Sequence, residues 1–595
     1  MSELTPSISS RTPLSETKAT GPQAALADNA ARQSQLPKSP RSDVGTVLLH
    51  WTTAITFLIS LFTGIRIASD NPESVISKWM TPILPQGEIW SWHFFAGLTL
   101  FFCGASYFLY MRRSALSRRA APKRLKVLLL PVVNKLRFAA LNVALHWLLF
   151  TLVIILTGTG IALYLGYGGW VIYIHSTAAF VALGYIFVHV TSHYLMGGIW
   201  QLLRIVRPVK LIATKAMRPR PLLIGVASGL AVVAAIAGFD WITRDTLVMR
   251  RITVAPKLEA LLDDPAWANA RPVFIRTTQG INLSGTGESL VEIRTIRDDK
   301  KAYFAFRWED PSRSVRRLPL VKKADGWHHI GNNPYIDDVT DFYEDKFAVI
   351  FSTSAAFGSG GVAHFGTKPI ANEPGSRNGR GLHYTDGHMV DMWQWKPSRG
   401  GLNGHFDDMY IGPPRDPTPD EASKLARYQA GYWGDPGNAY YVYNFEALRP
   451  AEYRGPEQPV HIKRLPKDLA ALQKAMGHWD PSPDASVDDG SRWWMTEEDS
   501  VPYSAEMDAK IPLGTIIPGV MHLGKYSGDR NDLRAAAHWQ NGHWTLVAER
   551  NLTTGSKYDQ DFIVGKDLYI WVSVFDHTQT RHTRHPRPMR LVVQE

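Results

Sequence analysis

The sequence predicts a membrane all-α bundle of four helices with a fifth transmembrane helix, followed by a mainly-β sandwich domain. Three observations carry this reading. Five apolar runs, at about 44–68, 88–111, 138–165, 169–199 and 221–243, are each long enough to cross a hydrocarbon core of roughly 30 Å. From about Arg271 the hydrophobic period changes from 3.6 to 2. The fourth run, from Trp170 to about Trp200, carries His175, His189 and His193. Inside a membrane span histidine is costly and faces a bundle interior or a cofactor.

The elements follow in order. Residues 1–42 hold five residues of the Leu/Ile/Val/Phe set among many Ser, Pro, Ala and Gln. The expectation is a disordered cytoplasmic tail, without the apolar core and cleavage site of a signal peptide. A membrane domain is expected over 43–210, a fifth span over 221–243, and a further domain over 250–595. The loop from Arg112 to Arg137 holds nine Lys/Arg and no acid, and the loop from Gln201 to Arg220 holds six and no acid. The positive-inside rule puts both loops and the N-terminus in the cytoplasm, in a bacterial inner membrane, and the C-terminal domain in the periplasm. The net charge of +11 is concentrated in those loops, so it reports topology and contact with lipid rather than nucleic acid.

The histidines then sort by side. Fourteen residues separate His175 from His189, about 21 Å of height and a net rotation of only about 40° on a helix. Two histidines on one stripe at two depths imply two stacked metal centres, and in an apolar four-helix bundle these are haems. At the periplasmic level His93 and His175 are the candidates for two axial positions. At the cytoplasmic level His50, His146, His189 and His193 compete for two, and helix geometry does not choose between His189 and His193. The only cysteine is Cys103, so covalent Cys-x-x-Cys-His attachment and cysteine-ligated iron–sulfur clusters are excluded. There is also an internal echo. His50-Trp51 is followed after eleven residues by Thr63-Gly64-Ile65, and His146-Trp147 after eleven residues by Thr159-Gly160-Ile161. Two helix hairpins of similar design account for it, the glycines allowing close approach.

With His50, His93, His175 and His189 in these places, residues 44–210 resemble the bacterial di-haem cytochrome b family. Its members include the membrane subunits of nickel–iron hydrogenases and the gamma subunit of formate dehydrogenase. The resemblance implies haem b held by His50 with His189 and by His93 with His175, and a quinone site near one haem. His146 and His193 are then left for haem propionates or quinone, and Arg66 for a propionate, unless it snorkels.

In the C-terminal part, residues 290–295, 302–308, 347–351, 544–548 and 568–574 read as strands, with Gly, Pro, Asn and Asp between them. Thr418–Ala430 and Lys467–Met476 read as short helices, and 412–510 as a loop insertion or secondary lobe. Three phrases resemble the haem-binding domain of the ethylbenzene dehydrogenase gamma subunit and its dimethyl sulfide dehydrogenase relatives. They are Tyr343-Glu-Asp-Lys-Phe-Ala-Val349, the turn Gly358-Ser-Gly-Gly-Val-Ala-His364, and Val390-Asp-Met-Trp-Gln-Trp-Lys396 followed by Asp407-Asp408. The resemblance, over about 270–595, implies a β-sandwich holding one b-type haem, with methionine and lysine as ligands in known members. His364 falls where the family places a ligand. The C-terminal stretch offers His577, His582 and His585 as partners, and His383 and Met389 are further candidates. Trp393, Trp395 and Lys396 read either as part of this site or as core packing with a surface charge.

The expected function is electron transfer between the quinone pool and a periplasmic redox protein or molybdoenzyme-like partner, through two membrane haems and a third outside. Two alternatives are a transmembrane reductase acting at the outer haem on a small substrate, and a membrane cytochrome whose outer domain binds a ligand without haem.

Overall fold

The computed structural model describes residues 41–68, 80, 83–85, 87–114, 116–129, 135–209, 220–331, 339–355, 364–366, 382–385, 387–423, 428–446, 458–480, 490, 492–524 and 526–595. The expected tail, up to residue 40, lies outside them, as does the Gly-rich turn before His364. Five helices are long and apolar enough to cross a membrane: α1 (Val44–Ala68), α2 (Ile89–Arg113), α3 (Lys135–Tyr164), α4 (Trp170–Leu202) and α5 (Arg220–Thr243). Asp43 starts α1: its carboxylate accepts the Thr46 amide at 2.9 Å and also binds Tyr110 of α2 (2.6 Å) and Arg119 of the first basic loop (3.0 Å). One buried acid therefore fixes the helix start and ties two neighbours to it. Gly197 and Gly198 leave the helical region near the end of α4, Gly198 at φ +65°, which only glycine adopts readily.

Helix α1 packs on α2, and α3 on α4. The fifth span, which reads from the sequence as a tether, also packs along α2. A Cβ on Gly229 would meet Ser106 Oγ at 2.3 Å, and one on Gly225 would meet the Ser106 carbonyl at 2.8 Å. The small-x-x-x-small spacing brings the two backbones together where lipid supplies no hydrophobic drive.

The C-terminal part is built on twelve strands: β1 (Thr246–Arg251), β2 (Val273–Thr277), β3 (Ser289–Arg297), β4 (Lys301–Glu309), β5 (Lys346–Ser352), β6 (Val390–Trp395), β7 (Asp407–Ile411), β8 (Tyr432–Gly434), β9 (Arg534–Gln540), β10 (His543–Asn551), β11 (Leu568–Phe575) and β12 (Met589–Val593). Their order is 8-7-6-5-11-12-1-3-4-10-9, with β2 beside β3. All five strands read from the sequence are present. The sheet closes on itself as a sandwich, because alternate residues of β4 face alternate residues of β5 and β6. Phe304 lies 5.4 Å from Trp393, Phe306 4.8 Å from Phe347, and Trp308 5.9 Å from Trp395, all measured between ring centroids. Trp393 and Trp395 are thus core.

Among the described residues of 412–510, Tyr432–Gly434 joins the main sheet as β8, and the rest hold short strands and the helix Leu469–Met476. The other short helix is only Pro419–Ala422, opened by a Thr418–Glu421 capping box. Among its expected later residues, Tyr428–Ala430 are not helical, and Ala430 has φ +56°.

The strand-rich domain seats on one end of the bundle. The turn between α3 and α4 meets it at Gly168, where a Cβ would lie 3.0 Å from both Thr278 and Glu288. The Arg584 guanidinium sits 5.3 Å from the ring centroid of Trp90, in the first turn of α2. Arg587 binds Asp240 near the end of α5 at 3.0 Å.

Candidate functional site

The bundle histidines gather in two groups. At the end under the strand-rich domain, His93 of α2 faces His175 of α4, with ring centroids 6.2 Å apart. Toward the other end, His50 of α1 faces His189 of α4 at 6.4 Å. Two imidazoles sharing one metal at a nitrogen–metal distance of about 2 Å hold their ring centres roughly 6 Å apart. Both pairs have that spacing. They are also the two pairs that the family resemblance implies; helix heights alone point to His93 with His175 and leave the lower pair open.

The upper pair is held from behind. His93 Nδ1 contacts Thr63 Oγ1 and the Ser60 carbonyl, each at 3.1 Å, and His175 Nδ1 contacts Thr159 Oγ1 at 2.8 Å. With Nδ1 engaged, Nε2 is the nitrogen left for a metal, which is how ligating histidines are commonly oriented. Gly64 and Gly160 stand beside the same two rings. A Cβ there would come within 3.1 Å of His93 Cε1 and 3.6 Å of His175 Cε1. The Thr-Gly pair repeated in α1 and α3 is therefore one device used twice, each copy seating the histidine of the next helix. The Trp residues of the echo also act alike. Trp51 donates to the Ile205 carbonyl (3.1 Å) and Trp147 to the Ala120 carbonyl (3.0 Å), so each pins one basic loop.

The lower group is looser and more crowded. His50 Nδ1 is buried with no hydrogen-bond partner, and His189 Nδ1 has a long 3.5 Å contact to Tyr185. His193 lies 4.7 Å from His189, centroid to centroid, while its Nδ1 contacts Gln201 at 3.4 Å. His146 Nδ1 is spent on the Asn142 carbonyl at 2.6 Å, one turn back on its own helix. Arg66, near the end of α1, is wholly buried and does not snorkel.

In the strand-rich domain the candidates do not form one such pair among the described residues. His364 and His383 lie on two short paired strands, in the register His364 to Tyr384 and Phe365 to His383. His383 is exposed, and Met389 is half-buried with its sulfur against Gly412. His577 is buried against Asp576 (2.6 Å). His582 bonds the Thr583 carbonyl at 2.7 Å, and its ring lies tilted 4.8 Å from that of Phe575. His585 is buried, its Nδ1 accepting the Val572 amide at 3.2 Å, and burial pushes its pKa down to about 3. Arg584, between these last two, is the residue over Trp90, so the His582–His585 stretch lies at the seam with the bundle, three residues of helix from His93.

Lys396 is no surface charge. It is buried, ion-paired to Asp407, with Met409 Sδ 3.5 Å from its Nζ. Burial lowers its pKa to about 7 against the pull of Asp407. This Met/Lys couple does not fit a haem between its two members, because the two groups touch and the ammonium is already committed.

Sequence reasoning missed a buried basic cluster beside it. Arg317, Lys346 and Arg399 surround the single carboxylate of Glu344, and burial followed by Arg399 and Arg317 holds Lys346 well below an ordinary lysine. Arg317 Nη1 and Arg399 Nη2 are buried without hydrogen-bond partners. Three cations around one carboxylate can take an anionic group such as a haem propionate. Nothing local in Ser314-Val-Arg-Arg317 or Pro397-Ser-Arg399 announces this, since the strands bring these loops together.

Comparison with known proteins adds two family matches. A family model described as "Ethylbenzene dehydrogenase" matches residues 264–587. One described as "Prokaryotic cytochrome b561" matches residues 41–208. No curated protein matches the chain. Among solved structures, a carbohydrate-binding module of family 9 from Caldicellulosiruptor kristjanssonii, in complex with cellotriose, is 7% identical and covers 59% of this chain and 94% of its own, with a TM-score of 0.21. The same module in complex with glucose gives 7%, 59%, 96% and 0.21. Likeness at this level bears on neither fold nor ligand.

Proposed function

The chain belongs to the ethylbenzene dehydrogenase family, joined here to a prokaryotic cytochrome b561 domain, and from that premise we propose that it is a three-haem membrane electron carrier. It passes electrons between the quinone pool and a redox protein on the far side of a bacterial inner membrane. When bound, each haem b supplies a one-electron carrier.

The observation that carries this reading is the pair of facing histidine couples, at 6.2 and 6.4 Å, stacked on α4. His93 and His175 hold the upper haem and His50 and His189 the lower one. Thr63 and Thr159 keep the upper imidazoles in the tautomer with Nε2 toward iron. Arg66, buried near the end of α1, is placed to meet a propionate near the upper level. His146 and His193, beside the lower pair, line the approach for a quinone headgroup and its proton. In the strand-rich domain the cluster of Arg317, Lys346 and Arg399 receives the propionates of a third haem. His364, His383, Met389, His582 and His585 are the ligand candidates. The contact of Arg584 with Trp90 supports transfer across the seam, since it joins the first turn of α2 to the His582–His585 stretch.

The test is a haem count by pyridine haemochrome on the purified full-length protein, with a redox titration. Three b haems per chain, and their reduction by a quinol with growth of the ferrous α-band, are expected. Two haems would leave the bundle cytochrome intact and make the strand-rich domain a haem-free binding module. None would end the proposal.

A further inference from the structure

Four aspartates from distant parts of the sequence meet inside the strand-rich domain. Asp391 lies on β6, Asp408 on β7, Asp435 one residue past β8, and Asp559 in the loop after β10. Carboxylate oxygens of Asp391, Asp408 and Asp559 all lie within 4.8 Å of one another, and all three residues are buried. Asp435 is 2% exposed, its amide bonds the Asp408 carbonyl at 3.1 Å, and its carboxylate faces those of Asp559 and Asp391.

The hydrogen bonds leave most of this oxygen unused. Asp391 Oδ2 takes Arg550 at 2.6 Å and the Gln560 amide at 2.9 Å, and Asp408 Oδ1 takes the Met409 amide at 3.1 Å. Asp391 Oδ1, Asp408 Oδ2 and both oxygens of Asp435 and of Asp559 are buried with no hydrogen-bond partner. Buried polar atoms are almost always paired, so six orphaned oxygens in one place call for a ligand. The charge says which kind. Arg550, fully buried under Trp393 and Phe562, reaches Asp391 and, at 3.8 Å, Asp559. Four carboxylates against one guanidinium leave up to three negative charges in a low-dielectric site, which is strongly unfavourable unless protons or a cation join them.

The geometry points to a divalent cation site formed by Asp391, Asp408, Asp435 and Asp559, and its donor set selects calcium. Every donor is a carboxylate oxygen, which favours a hard ion over zinc or copper. Six or more oxygens in a buried site suit calcium, whereas magnesium keeps several waters. The ion ties strands β6, β7 and β8, at one end of the sheet, to the loop after β10, and so stabilises the sandwich independently of any haem.

The test uses the full-length protein in detergent. Metal analysis after dialysis against metal-free buffer is expected to give one calcium per chain. Excess EGTA is expected to lower the melting temperature of the strand-rich domain, and added calcium to restore it. Asp435→Asn removes one charged ligand while nearly keeping shape, and it is expected to weaken calcium binding on the order of tenfold or more with the haem count unchanged. Asp559→Asn provides a second variant should the first fold poorly. Zinc in place of calcium, no bound metal with a melting temperature indifferent to EGTA, or full calcium affinity in both Asn variants would overturn the proposal. The haem count is read separately, so its failure and that of the calcium site are distinguishable.

Discussion

The helical bundle and the strand-rich domain handle buried polar groups in opposite ways. In the bundle they are fewer, and His93, His175 and His146 each have a local answer: a threonine one helix away, or a carbonyl one turn back. Thr63 and Thr159 each serve one histidine. In the sandwich they are many and arrive in groups of one sign, acidic around Asp391 and basic around Glu344, balanced among the described residues by Arg550 on one side and Glu344 on the other. The difference teaches where cofactors are to be sought. A bundle site shows itself as converging ligands, whereas a sandwich site shows itself as uncompensated charge.

The sharpest way to break this comparison is to delete ligands. His93→Ala and His175→Ala are each expected to cost the same single haem, and His50→Ala and His189→Ala the other, read by pyridine haemochrome and redox titration. Loss of one common haem from both the His175 and His189 variants would end the two-level arrangement. Next in size, Thr63→Val and Thr159→Val keep the haem but weaken its binding, by analogy with other groups that orient metal ligands, about 10–100-fold. They should also shift the upper potential and leave the lower one unchanged. Full retention of affinity and potential in both would reduce the threonines to packing.

A smaller effect concerns pH. Burial holds His585 neutral to about pH 3, while the unfolded ring titrates near 6.5. Its folded pKa is depressed, so its contribution is present above 6.5 and is lost as pH falls below that value. Relative to the parent, His585→Asn should flatten the fall in stability by roughly 1.4 kcal/mol per pH unit between about 6 and 4. Parallel curves for the two proteins would show that the ring is not held neutral. Smallest of all, His193→Ala should leave the haem count unchanged and alter only quinone-linked reduction.

Much of the bundle was legible because helix geometry converts sequence spacing into height and face. Fourteen residues between His175 and His189 already stated two depths on one stripe. The repeated His-Trp and Thr-Gly phrases announced two similar hairpins, though only the folded molecule gave the second phrase its partners, His93 and His175. The Gly225-x-x-x-Gly229 spacing was an available signal that α5 packs rather than tethers. The strands were legible from their alternation, and so was the family of the C-terminal domain. Lys396 was not, because a lysine after a strand looks the same in sequence whether its strand faces solvent or another sheet. The clusters were hidden for the same reason. Asp391 and Asp559, or Arg317 and Arg399, stand far apart in the chain.

By itself, then, the sequence determined the five spans, the two histidine levels, the alternating strands and the absence of any cysteine-bound cofactor, since all of these depend on composition and local periodicity. The tertiary structure alone decided that His50 faces His189 and that a threonine stands behind each upper histidine. It also decided that the His582–His585 stretch lies over Trp90, and that four aspartates share one buried space. Those facts depend on which chain segments pack against which, and short-range periodicity carries no information about long-range pairing.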